Sequence, residues 1–106
     1  MEPSQATQGY TFTEEYVFSY FGGRIEVPCV VTSTYIRKGF GRASGTLDFS
    51  QMTIDGSLRG GFFPKVFDNP ISGRDRPEIR KHARQTARGI GLGIIKHLRS
   101  DGKLVF

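Results

Sequence analysis

The residues best spaced for chemistry in this chain are basic. Arg80, Lys81, Arg84, Arg88 and Arg99 fall on one flank of a helix if the stretch around them is helical. A guanidinium stays charged, carries its donors in a planar fork and meets phosphate or carboxylate through paired hydrogen bonds. A flank of them suits an anionic partner, with nucleic acid first and an acidic protein surface second. The glycine-rich stretch from Arg37 to Gly45 adds Lys38 and Arg42. It reads as a loop that extends the basic surface if it folds toward the helix. Tyr35, Phe40, Phe62 and Phe63 lie beside basic residues in sequence, and aromatics in a positive groove are how nucleic-acid single strands are held without base readout.

No other chemistry is marked. His82 and His97 are too far apart for an i, i+4 helical metal pair, and Cys29 lies in a different kind of element, so no metal site is expected. The glycines at 39, 41 and 45 stand between two predicted strands, whereas a dinucleotide fingerprint needs a strand before and a helix after. Gly89-Ile-Gly-Leu-Gly93 sits inside the predicted helix and lacks the last glycine of that pattern. Ser33, Ser44 and Ser57 occur in no nucleophile elbow, and Asp55 and Asp68 are accounted for by turn chemistry. The reading leans away from an enzyme, toward a small basic binding module without catalytic residues or cofactor.

The basic flank needs a helix to carry it, and residues 76–99 supply one. Asp75 can cap the first turn, Pro77 falls where a missing N–H costs nothing, and Glu78 completes a capping box. His97 and Arg99 suit the negative end of the dipole, and Asp101-Gly102 offers a left-handed stop. At about 100° per residue, Ile79, Ala83, Ala87, Ile90, Ile94 and Leu98 form one apolar stripe. Leu92 and Ile95 are expected to point out among the basic residues. A further lane carries His82, Thr86, Gly89, Gly93 and His97. Each glycine inside a helix costs roughly 1 kcal/mol relative to Ala, so close packing on a sheet, or helix–helix contact through Gly89 and Gly93, is implied. The alternative function follows from that lane. It is a protein–protein module, either a small inhibitor or adaptor or a homo-oligomeric assembly protein, acting through Gly89 and Gly93 or through Leu92 and Ile95.

Ahead of the helix the periodicity changes to two. Residues 15–21 alternate with Tyr16, Phe18 and Tyr20 on one side, Gly22-Gly23 reads as a two-residue turn, and residues 24–36 continue as a longer strand bearing Pro28 at an edge or bulge. Residues 45–54 and 57–67 are the third and fourth strands, joined by an Asp55-Gly56 turn, and residues 68–74 form a connector. A short strand can follow at 103–106. The fold expected is α+β: an antiparallel sheet of about four to five strands with one long C-terminal helix across one face. Residues 10–106 form a single domain, β-rich over 10–73, behind a disordered lead at 1–9.

Composition sets the limits. The chain has 106 residues, net charge +5, nine Phe, four Tyr and one cysteine. Residues 1–73 hold six Lys/Arg against seven Asp/Glu, and residues 74–106 hold nine against three, so the positive charge belongs to the helical end. One cysteine excludes an internal disulfide framework, no run nears the ~18 apolar residues of a membrane span, and a polar, acidic start is wrong for a signal peptide. A cytoplasmic setting is expected. Aromatics expected on both sheet faces, with one helix to cover only one, suggest a homodimer.

Overall fold

The computed structural model describes residues 9–60 and 62–105. All but the last residue of the expected disordered lead, and the end of the expected strand at 103–106, lie outside them. The architecture is α+β: β1 (Tyr10–Tyr20), β2 (Ile25–Arg37), β3 (Phe40–Leu47), β4 (Thr53–Ile54), β5 (Ser57–Leu58) and β6 (Lys65–Ser72), followed by α1 (Arg76–Ser100). Every strand pairing is antiparallel. β2 is central, flanked by β1 on one side and by β3 and then β4 on the other, while β6 pairs with β3 and β5 with β4. Both β1 and β6 are therefore edges, and α1 lies over one face of the sheet, mainly on β2 and β3.

Alternation decides which side each strand residue faces. The helix side holds Phe18 and Tyr20 from β1, Ile25, Val27, Cys29 and Val31 from β2, Ala43 and Leu47 from β3, and Phe67 from β6, all buried. Phe49 and Met52, from the 3-10 turn Phe49–Gln51 and the residue after it, close the same core. The opposite side of β1 and β2 is polar and threonine-rich, with cross-strand hydroxyl hydrogen bonds between Thr11 and Thr34 (3.3 Å) and between Thr13 and Thr32 (2.9 Å). The aromatics of β1 therefore share one face, and the premise that rings populate both faces does not hold for that strand. On its outer side β1 presents Val17, 63% exposed.

Strand boundaries differ from expectation. β1 begins at Tyr10 and not at residue 15, and the third strand expected over 45–54 is interrupted by the 3-10 turn Phe49–Gln51. The fourth, expected over 57–67, is split between β5 and β6. Two further differences have a physical reason. The stretch read as a basic loop at 37–45 is a tight turn at Lys38-Gly39 followed by β3. Gly39 is in the turn at a left-handed φ of 84°, whereas Gly41 and Gly45 are set by packing across the sheet. A Cβ on Gly41 would lie 2.6 Å from the Thr34 carbonyl and 3.1 Å from Ile79, and one on Gly45 would overlap the Val30 carbonyl. The second difference is β6, which occupies most of the expected connector at 68–74. Its Asp68-Asn69-Pro70 are turn formers, but an edge strand tolerates them because Pro70 has no partner to disappoint on its outer side. Pro28 is explained as well. Its carbonyl accepts from Asp48 N (2.8 Å), so its missing N–H faces the place where the chain leaves β3 for the 3-10 turn.

The first hairpin turns through Phe21 to Arg24, with Phe21, Gly22 and Gly23 all at positive φ, so the loop is longer than two residues. Asp55-Gly56 forms the expected two-residue hairpin with both residues left-handed (φ 51° and 81°).

Helix α1 begins and ends where its capping residues dictate. The Asp75 carboxylate accepts from Glu78 N (3.0 Å), and the Glu78 carboxylate accepts from Arg74 N (2.6 Å). At the other end Gly102 is left-handed (φ 74°), Lys103 N donates to Leu98 O (2.9 Å) and Gly102 N to Arg99 O (3.0 Å), which is a Schellman cap. Buried Leu104 packs into the core just beyond it. No described helix is long and apolar enough to cross a membrane.

Candidate nucleic-acid interface

The buried line of α1 is Ile79, Ala83, Ala87, Gly91 and Ile95, every fourth residue. Steps of four advance about 400°, so this line drifts about 40° per step around the helix. It follows the sheet beneath, which twists. Ile90, Ile94 and Leu98 are consequently half-buried on one shoulder of the line. The expectation that Ile95 points outward is corrected: it is fully buried. Leu92 is half-buried and packs against the core.

Small residues on the buried line bring the helix close to the sheet, and Gly91 brings it closest. A methyl group there would overlap the Tyr20 hydroxyl and sit 3.1 Å from its ring carbon Cζ. Tyr20 fills that space and donates from its hydroxyl to the Arg88 carbonyl (2.9 Å). Burial pushes the Tyr20 phenol up to about 12. Gly89 and Gly93, by contrast, have open space where a side chain would be. Sheet packing accounts for Gly91 and not for the other two.

The small line also sets the height of the arginines beside it. Arg76, Arg80, Arg84 and Arg88 recur every fourth residue and reach over β1. Their guanidinium carbons stand 5.0 Å from the Tyr10 ring centroid, 3.7 Å from Phe12, 5.9 Å from Tyr16 and 4.9 Å from Tyr20. Arg99 continues the series over Phe21 at 5.2 Å. Tyr10, Phe12, Tyr16 and Tyr20 belong to one face of β1 and Phe21 to the turn after it, and all offer the negative side of their quadrupoles to the cations. β1 thus holds a row of guanidinium groups in place along its whole length. At about 1.5 Å per helical residue, Arg76 to Arg88 span about 18 Å of helix axis, and Arg99 carries the row to about 35 Å.

One carboxylate enters the row. Arg80 pairs with Glu14 through Nη2 (2.7 Å), and the Tyr16 hydroxyl donates to the same carboxylate (2.5 Å). Those two hydrogen bonds, Arg80's first, hold the Glu14 carboxyl below its usual range. Its ionised form is favoured in the folded chain, so the stabilisation is present above the unfolded-state pKa and lost as pH falls through the folded one. Replacing Glu14 with Gln is expected to lower Tm slightly near neutral pH, where solvent screens the pair. The gap from wild type should close on acidification, which thermal melts over a pH series would show. Among the described residues no carboxylate lies within ion-pair distance of Arg76, Arg84 or Arg88.

The sequence-derived site is therefore assembled in part. Arg80, Arg84, Arg88 and Arg99 stand in the row, and Lys81 lines the same cleft with Glu14, Tyr16 and Arg84. Lys38 is exposed at the β2–β3 turn, at the end of the sheet where α1 begins. Arg42 is not brought to the row. It alternates with buried Gly41 and Ala43, faces the side of the sheet away from α1 and pairs with Asp68 at 3.0 Å. The four aromatics read as a platform are also dispersed. Tyr35 packs beside Tyr10, Phe40 lies under Arg37 (4.6 Å), and Phe62 and Phe63 border another groove beside Ile94 and Leu98. Sequence reasoning missed Arg76 and the rings of β1. The signal for Arg76 was its place four residues before Arg80. The rings were visible as an alternating face, though nothing local tied them to the arginines.

Among the described residues no group of three or more His, Cys, Asp or Glu side chains could hold a metal ion. Cys29 is buried, and burial pushes its thiol up to about 12, far from a nucleophile's range. No family model, no curated protein and no solved structure matches the chain.

Proposed function

We propose that this protein is a non-enzymatic nucleic-acid-binding module whose ligand lies along the arginine row of α1 above β1. One observation carries the reading: cations at every fourth helical position, each held over a ring of the adjacent strand, form a positive edge into which Glu14 enters at Arg80. A soluble fold does not need its arginines so aligned. The rings hold the guanidinium groups in place in advance, so less side-chain freedom is lost when a phosphate is bound. Lys81 adds charge on the same flank, and Lys38 adds it beyond the start of the helix.

Arg84 and Arg88 are exposed and stand clear of the buried line of α1, so changing both to Ala is expected to leave the fold intact. Binding to nucleic acid should fall on the order of tenfold or more, with a salt slope shallower by about two phosphate contacts. Fluorescence anisotropy over a salt series, with circular dichroism as the folding control, measures both. Wild-type protein that shows no retention on DNA or RNA at low salt would overturn the reading.

A protein partner would then lead. It is favoured by the exposed Gly89 and Gly93, which border a groove with Ile90, Ile94 and Leu98 and have nothing of their own chain to accommodate. A second copy of this chain is the simplest occupant, and Ile95 takes no part in such a contact.

A further inference from the structure

The arginine row discriminates between forms of nucleic acid, and we infer that it is built for a single strand and not for a duplex. This deepens the function proposed above and rests on it. The first observation is the course of the row. The guanidinium groups follow one β-strand, from Tyr10 under Arg76 to Tyr20 under Arg88, instead of curving around a protruding element. A duplex winds its phosphates about an axis at about 3.4 Å rise per step, so the roughly 35 Å of helix from Arg76 to Arg99 matches about one full turn. Along such a line each duplex strand is met about once, and most of the row would face a groove. A flexible single strand can lie along all of it.

The second observation is the position of the cations. Each guanidinium carbon stands over a ring: Arg80 at 3.7 Å from the Phe12 centroid, and exposed Arg84 and Arg88 at 5.9 Å and 4.9 Å from those of Tyr16 and Tyr20. The outer face of an exposed guanidinium is then a flat surface on which an unpaired base can stack, with the N–H edges left for phosphate. In a duplex the base faces are occupied by their neighbours. The helix is also poorly placed for a major groove, since its middle, Ala83 to Gly91, is sunk against the sheet along one side.

The third observation weighs against the two rings beneath Arg84 and Arg88 as the platform. Tyr20 is buried and hydrogen-bonded to the Arg88 carbonyl, and Tyr16 is hydrogen-bonded to Glu14. Stacking falls to the arginines, and this makes the role separable from charge. Lysine keeps the charge of arginine but has no plane.

The test compares a labelled oligothymidylate strand, the same strand annealed to oligoadenylate, and a poly-glutamate peptide. Each is titrated at one salt concentration against wild type and against the double variant Arg84→Lys, Arg88→Lys, with melting curves as the folding control. The expected result is single-strand affinity at least about tenfold above that for the duplex, and an about tenfold loss of it in the lysine variant with an unchanged salt slope. Equal or tighter binding of the duplex overturns the inference and leaves the proposed function standing. So does an undiminished single-strand affinity in a folded lysine variant. Binding of neither nucleic acid overturns both readings, as does poly-glutamate binding as tight as that of the strand.

Discussion

Replacing Gly91 with Ala is expected to destabilise the protein by about 2–3 kcal/mol, although the same change at most helical glycines stabilises. The added methyl would occupy the position of the Tyr20 hydroxyl, and neither side can yield cheaply. Tyr20 lies in the core between β1 and α1, with its hydroxyl committed to the Arg88 carbonyl. Moving it leaves that hydroxyl buried without a partner or lifts the helix from the sheet. The neighbouring substitutions give the control. Gly89→Ala and Gly93→Ala meet open space and should each stabilise by up to about 1 kcal/mol, by removing a flexible residue from the helix. Three melting curves on single variants test this. Gly91→Ala melting at or above wild type would refute the account of how helix and strand are joined.

Ile95→Ala is expected to cost about 3 kcal/mol, within the usual range for truncating a fully buried aliphatic side chain. Ile95 is fully buried at the far end of the helix's contact line and belongs with Ile79, Ala83, Ala87 and Gly91. For a chain of this size a loss of that kind lowers Tm by roughly 12–24 °C. Leu92→Ala, in the half-buried position three residues earlier, should cost distinctly less. If the two variants unfold at the same denaturant midpoint, Ile95 is not the anchor the packing makes it.

That contrast marks where the sequence was legible. The helix was readable because Asp75, Pro77, Glu78 and Gly102 act on their immediate neighbours, and local chemistry needs no knowledge of the rest of the fold. Which residues it buries was readable only in its first half. An ideal period of 3.6 selects Ile90, Ile94 and Leu98, while the observed step of four, which follows the twist below, selects Gly91 and Ile95. The start of β3 was hidden because Gly41 and Gly45 answer to Ile79, Thr34 and Val30, which only the folded sheet brings against them, and so imitate a loop. β6 was hidden because an edge strand accepts Asn and Pro.

The candidate site divides the same way. The spacing of Arg80, Arg84 and Arg88 was plain in the sequence, and so was the alternation of Tyr16, Phe18 and Tyr20. Their meeting was not, because the pairs are more than sixty residues apart and only the folded sheet brings them together. Arg42 was misplaced by a parity that a loop does not have and a strand does.

The position of α1 after every strand has a consequence for synthesis. Ile25, Val27, Cys29, Val31, Leu47 and Phe67 face the helix and are buried in the finished fold, yet all of them are made before Ile79 exists. At roughly 5–20 residues per second the ribosome takes about 1–5 s to add the 25 residues of the helix. Throughout that interval the nascent sheet has an apolar face that α1 does not yet cover. A nascent-chain chaperone that shields such a face should engage this protein until Ile95 has been made and the helix can close.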